Sequence, residues 1–516
     1  MKYRFTTFFT ASLVLFILAD MIFWSCKRNN SEGEKLAKTY CGSCHQLPDP
    51  NILPRNVWRL STLPYMAIMM GVDKDIQKLE KPLSNYAVLR PPSQMISDDD
   101  WEKIKDYYLS EAPKKLEMPE YVPLQELKNV FEVENPNVSL ENTTIPNFTT
   151  IKIDTVNNKI FAGDQYNRVI WIIDKNGKAL QSIPNQNALA NVDLFNAKSN
   201  KYLLTFIGTT TQANPDISGS VVQFEMKENK MVQQGELFTN LERPIEFTYK
   251  NLDENTDFEM ISCEFGFKLG GLSIWKKDAK GKYQKQPLSI GPGATRTIIT
   301  DFDGDKREDI LALFAQGDER IVVYLNKGKL QFEEKVLLRF PPIYGSTSFN
   351  FIDMDGDNKK DIVYTAGDNA DFSIILKPYH GVYIFKNQGN SNGSIFNFKQ
   401  VHFFQQNGST KAIAKDFDND GDIDIASIAL FPDTDHRPLE GFMYLENTGG
   451  NFIQKTLNIN HFGRWNVMDA ADIDDDGDVD IVLGSHPVAK FPSGFDQAWK
   501  KGNGLVILRN KTKDKQ

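Results

Sequence analysis

Asp301-Phe302-Asp303-Gly304-Asp305-Lys306-Arg307-Glu308-Asp309 is the stretch that decides how this chain is read. Carboxylates stand at positions 1, 3, 5 and 9, and the apolar run Ile310-Leu311-Ala312-Leu313 follows at once. The pattern returns three times, with its acids at Asp353, Asp355, Asp357 and Asp361, at Asp416, Asp418, Asp420 and Asp424, and at Asp472, Asp474, Asp476 and Asp480. In a tight loop alternate side chains turn inward, so several hard oxygens meet. Calcium takes six to eight oxygens and tolerates such a set, with the carbonyl of position 7 completing it. The loop is not an EF-hand, because position 12 holds Ala312, Tyr364, Ser427 and Leu483 where that motif needs Glu. About four calcium ions are therefore expected, each pinning a turn.

Working outward, each loop leads into a β-type run such as Ile481-Val482-Leu483. A weaker copy spans Asn251 to Glu259, and degenerate units lie near 153–163 and 193–208. Motif starts at 251, 301, 353, 416 and 472 are one four-stranded blade apart. Repeats at a fixed period that each supply one small sheet predict a closed propeller of seven blades. The expected fold is mainly β: a seven-bladed propeller over 131–511, reached by a linker at 116–130 and preceded by a small all-α domain at 26–115.

That α domain is read from Tyr40-Cys41-Gly42-Ser43-Cys44-His45. Two thiols at this spacing attach to the two vinyl groups of a haem, and the next residue presents an imidazole to the iron. A zinc site would need a second ligand pair, and the only other cysteines are Cys26 and Cys263. Cys263 sits in an apolar run and reads as a buried small hydrophobe. One covalent haem c is expected on Cys41, Cys44 and His45. Met66, after the Leu63-Pro64 turn, is the preferred sixth ligand; the alternatives are Met69, Met70, Met95, or a different or absent ligand. Ser97 followed by Asp98-Asp99-Asp100 predicts a helix start, and Trp101, Ile104, Tyr107 and Tyr108 repeat at helical spacing. This resembles the last helix of class I cytochromes c.

The chain opens with Lys2 and Arg4, an apolar stretch from Phe8 to Leu18, and Phe23-Trp24-Ser25-Cys26. Residues 1–25 read as a signal peptide or a membrane anchor. Cys26 is the lipidation site if the segment is cleaved as in a lipoprotein. If it is not cleaved, Phe5 to Trp24 at about 1.5 Å per residue spans a bilayer core of about 30 Å. A third alternative is free secretion. All three export the rest of the chain, to the periplasm or to the outer-membrane or cell surface. The net charge of -9 lies largely in the acidic loops, and no basic stripe for nucleic acid is present.

With these residues in place, 130–510 resembles the FG-GAP/VCBS repeat propellers related to the integrin α head. The stretches Gly367–Asp371, Lys377–Gly381 and Cys41–His45 are similar to a group of bacterial haem c–propeller fusions of unassigned function. In the resembled propellers the acidic loop joins a blade's first two strands on one face. The loops joining strands two and three, and the links between blades, then emerge on the other. That opposite face would carry Asp368, Asn369, Asp371, His380, Lys411, His436, Arg464, Trp465 and His486, a candidate surface for a polar ligand. No nucleophile elbow, P-loop, zincin or dinucleotide motif occurs. Three functions are weighed: an exported electron-transfer protein whose propeller docks a redox partner or polar ligand, a propeller oxidoreductase passing electrons from a sugar or alcohol to the haem, and a surface binding or adhesion module.

Overall fold

The computed structural model describes residues 32–75, 90–136, 138, 145–228, 230–253, 258–369, 375–389, 396–486, 496–499 and 503–513. The expectations for residues 1–25, Cys26 and Asp371 lie outside these. No helix among the described residues is long and apolar enough to cross a membrane. The chain divides into two compact units, one of residues 1–117 with 370–374 and one of 118–369 with 375–516.

In the first unit a helix over 32–40 runs into a 3-10 turn, Cys41–Ser43. Arg55–Val57, Trp58–Thr62 and Leu63–Met69 follow as one helical stretch with a π turn in its middle. The last helix, Asp98–Glu111, starts as expected: the Ser97 side chain accepts from Asp100 N, and three acids occupy its first turn. It buries Trp101, Ile104 and Tyr108. The first and last helices touch at Gly33, where a Cβ would stand 2.2 Å from the Lys103 carbonyl oxygen. The polar tips of the buried rings are all paired. Trp58 donates to the Pro50 carbonyl, Tyr108 to the Pro48 carbonyl, and Trp101 to Asp75, which also accepts from Lys105.

Among the described residues the second unit forms seven sheets, antiparallel apart from one strand added to the sixth. Their first strands are Phe148–Asp154, Ala188–Asn196, Pro244–Lys250, Ala294–Thr300, Ser346–Ile352, Ser409–Lys415 and Trp465–Ala471. Each packs on the next, and the seventh packs on the first, so the ring closes into a seven-bladed propeller. The degenerate units at 153–163 and 193–208 fall in blades 1 and 2, and the weak copy at 251–259 in blade 3. The second strands of blades 4 to 7 are buried along their whole length and, after the opening Asp, are mainly apolar. Cys263 is buried in the second strand of blade 3.

The ring is sealed by its N-terminal segment. Phe131–Glu134 forms the outermost strand of blade 7, beside the C-terminal strand Leu505–Asn510. Gln125–Glu126, within the stretch read as a linker, adds a fifth, parallel strand to blade 6. Tyr121 ties the same segment down by donating to Asp433, and the Arg437 guanidinium lies 5.1 Å from its ring.

Between blades the inner strands are latched by side chains. Glu246 of blade 3 accepts from Thr297 N of blade 4 at 2.6 Å, and Asp469 of blade 7 accepts from Ile153 N of blade 1 at 2.9 Å. Ser348 of blade 5 accepts from Ala412 N of blade 6. Inner strands are sheet edges, and these contacts satisfy backbone donors that would otherwise be unpaired.

Candidate functional site: the acidic loops and the cysteine turn

All four acidic loops join the first and second strands of blades 4 to 7. One geometry builds each. The position 1 carboxylate accepts from the backbone N–H of positions 4 and 6 in three of them: Asp301 from Gly304 and Lys306, Asp353 from Gly356 and Asn358, and Asp472 from Asp475 and Gly477. Asp416 accepts from position 6, Gly421. Both donors must turn back toward the loop start, and both are left-handed in every loop, for example Asn419 at φ 60° and Gly421 at φ 99°.

Position 9 opens the second strand and is buried in each loop. One of its oxygens accepts from position 2: Phe302 for Asp309, Met354 for Asp361, Phe417 for Asp424 and Ile473 for Asp480. The other accepts from an asparagine N–H at the end of the third strand: Asn326, Asn387, Asn447 and Asn510. The same asparagine side chain donates to the carbonyl of position 8. These four asparagines are a repeated part of the loop that sequence reasoning missed. A signal existed, since Asn326 and Asn387 each stand two residues before a glycine. The variable distance from the acidic loop, set by the loop between strands two and three, hid it.

Carboxylate oxygens of Asp301, Asp303 and Asp309 lie within 4.8 Å of one another, and so do those of Asp416, Asp418 and Asp424, and of Asp472, Asp474 and Asp480. In blade 5 the converging set is Asp353, Asp355 and Asp357; Asp361 is not part of it. An all-carboxylate donor set suits a hard cation. The loops differ in what else reaches them. Arg307 pairs with Asp305, Lys386 with Asp355, and Arg509 with Asp474 and Asp480. Among the described residues no basic side chain pairs with the blade 6 acids. There burial and the neighbouring Asp420 push Asp418 up to about 6, and burial pushes Asp424 up to about 7.

In the first unit Cys41, Cys44 and His45 lie within one turn. The backbone N–H of Cys44 donates to the Cys41 carbonyl, and Ser43 Oγ donates to the Tyr40 carbonyl. Both cysteines are free thiols. Burial, with Cys44 beside it, raises the Cys41 thiol to about 11, the opposite of an activated redox dithiol. His45 Nδ1 lies 2.9 Å from the Gln46 carbonyl. A carbonyl only accepts, so Nδ1 is the donor in this contact, which in the neutral ring leaves the lone pair on Nε2. Met66 is half-buried on the Leu63–Met69 helix, Met70 is buried one turn later, and Met69 and Met95 are exposed.

The residues assigned to the opposite face are placed diversely. His380 and Arg464 are buried. His380 is held neutral by burial and the nearby Lys377, and its Nε2 has no hydrogen-bond partner among the described residues. Arg464 donates to the Leu430 carbonyl and lies 5.4 Å from the Phe431 ring. Trp465 is buried in the core, and Asn369 donates to the Ile375 carbonyl. Asp368 is half-buried, as is His486, whose ring meets Tyr166 edge-on. His436 is exposed and paired with Asp433, which raises its pKa. Lys411 is not in a loop: it is on the inner strand of blade 6. A cleft of about 480 Å³ that shares Tyr166 with the His486 contact is lined by Gln165, Tyr166, Arg168, Gln186 and Thr209.

Residues 301–364 match the FG-GAP-like repeat. The match begins at the first acidic loop, spans the remainder of blade 4 and ends in the second strand of blade 5. No curated protein matches the chain. Among solved structures, the Cps50 (Swd1) β-propeller domain of Myceliophteria thermophila is 8% identical, with a TM-score of 0.41, over 73% of this chain and 98% of that one. Sqt1 of Saccharomyces cerevisiae is 8% identical, with a TM-score of 0.42, over 74% and 99%. The blade count rests on this chain's own strand pairing.

Proposed function

We propose that this protein is an exported propeller binding module that carries one covalent haem c and serves in electron transfer, with calcium bracing the propeller. The carrying observation is the Cys41-Gly42-Ser43-Cys44-His45 turn, with its two free thiols and an imidazole anchored through Nδ1 to the Gln46 carbonyl. Cys41 and Cys44 would hold the haem and His45 would ligate its iron, with Met66 the proposed second axial ligand. The haem would supply a one-electron Fe(III)/Fe(II) couple. The chain's own part is to fix the imidazole through Gln46 and to close the helical unit at Gly33. The acidic loops would hold calcium through the carboxylates that converge on one face of blades 4 to 7. The propeller would dock a redox partner or a polar ligand. An N-terminal lipid on Cys26, or an uncleaved anchor, would tether the protein to the membrane.

The test is expression in a host with a c-type haem maturation system. A mass increase of one haem that is lost in Cys41→Ala/Cys44→Ala, with a low-spin spectrum altered in Met66→Ala, is expected. Protein recovered with both thiols free from such a host overturns the haem assignment.

A further inference from the structure

One position varies among the four acidic blades and decides which charge meets the loop. It is the residue before the clamping asparagine on the third strand: Leu325 in blade 4, Lys386 in blade 5, Glu446 in blade 6 and Arg509 in blade 7. Leu325 is buried in the apolar core shared by blades 4 and 5. Glu446 pairs with Lys455 at 2.5 Å. Lys386 reaches Asp355 and Asp357, but its side chain is 34% exposed, so the ammonium can swing out into water.

Arg509 has no such freedom. Its side chain is 5% exposed, and all three of its nitrogens are engaged. Nη1 lies 3.1 Å from Asp480 Oδ2 and 3.3 Å from Asp474 Oδ2. Nη2 donates to the Lys175 carbonyl at 2.6 Å and pairs with Glu134 at 3.3 Å, and Nε also donates to Glu134. Asp474 and Asp480 are two of the three carboxylates that converge in blade 7. In blade 4, by contrast, Arg307 takes Asp305, which lies outside the converging three. Calcium at about 2.3–2.6 Å from the Asp474 and Asp480 oxygens would stand within about 6 Å of Nη1. Two positive centres would then share one pair of oxygens, and the guanidinium could retreat only by leaving Glu134 and the Lys175 carbonyl unmet. The blade 7 acids therefore do not fit calcium as those of blades 4 and 6 do.

We infer, on the reading that the other acidic loops hold calcium, that Arg509 takes the ion's place in blade 7 and that this loop holds none. A guanidinium between carboxylates supplies the fixed positive charge and the directed donors that brace the turn. The same side chain ties Glu134 of the N-terminal sealing strand to the blade 7 loop. The seam of the ring thus keeps its brace when calcium falls.

The test is the number of calcium ions bound per full-length protein, counted by equilibrium dialysis at about 10⁻³ M free calcium, for wild type, Asp416→Asn, Asp472→Asn and Arg509→Met. Relative to wild type, Asp416→Asn is expected to lose one ion, Asp472→Asn to lose none and Arg509→Met to gain one. Loss of an ion in Asp472→Asn, equal to that in Asp416→Asn, overturns the inference and leaves the calcium reading standing. An Arg509→Met protein that folds and gains no ion also overturns it. A wild type that binds no calcium overturns both. If Arg509→Met does not fold, the Asp416→Asn and Asp472→Asn counts decide by themselves.

Discussion

Lys306 is the residue least suited to its backbone in the acidic loops. Position 6 is left-handed in all four, and its occupants are Lys306 (φ 73°), Asn358 (φ 64°), Gly421 (φ 99°) and Gly477 (φ 92°). A side chain with a Cβ is disfavoured there by roughly 1–2 kcal/mol, and asparagine tolerates it better. Lys306→Asn is expected to stabilise the propeller by about 0.5–1 kcal/mol in chemical denaturation. Lys411 provides a second residue-scale prediction. Burial, then Arg296, lowers its pKa in the folded protein to about 8, below the ordinary value of 10.5. Between those values the unfolded chain binds more protons, so this group's stabilising contribution is present above 10.5 and lost as pH falls through 8. In chloride, Lys411→Met should melt higher than wild type at pH 7, and the gap should narrow as pH rises toward 10. A gap that does not change with pH would refute this.

The acidic loop and its asparagine form one element. Asn447 donates to the Ile423 carbonyl, and its Oδ1 accepts from Gly450 N, so it holds two chain segments together. Asn447→Ala leaves both groups unmet and is expected to cost about 1–3 kcal/mol. A blade is also where calcium would act. Extracellular modules bind it at about 10⁻⁴–10⁻³ M, so chelation should lower the melting temperature. The blade 6 loop, which has no basic partner among the described residues, should be the most sensitive: Asp418→Asn should remove more of the calcium-dependent rise than Asp305→Asn, whose carboxylate already faces Arg307. In the helical unit, Gly33→Val meets the Lys103 carbonyl and should destabilise by about 1–3 kcal/mol.

For the molecule as a whole, closure depends on residues before the first blade. Phe131–Glu134, before the first blade, and Leu505–Asn510, after the rest of the propeller, meet in blade 7. A truncation that begins at residue 118 keeps this strand and should melt as cooperatively as the full-length propeller. One that begins at residue 135 exposes the edge of Leu505–Asn510 and should melt lower and aggregate. Equal melting of the two would show that the seal contributes nothing.

Repetition made the propeller legible. Four acidic loops in one register, each followed by an apolar run, state where a turn ends and a buried strand begins, and local chemistry suffices for that. The Ser97 cap was legible for the same reason, as its hydrogen bond closes within three residues. What no local pattern carried were the contacts that join distant segments. These include the asparagines that clamp each loop, the N-terminal strands that finish blades 6 and 7, and the latches from Glu246 and Asp469 to the next blade. The opposite-face residues show the limit most clearly. Sequence order places His380, Arg464 and Lys411 near loops, but whether a polar side chain faces solvent, core or axis depends on how the blades pack. His380 and Arg464 are drawn into the interior, and Lys411 stands on the inner strand of blade 6 and not in a loop.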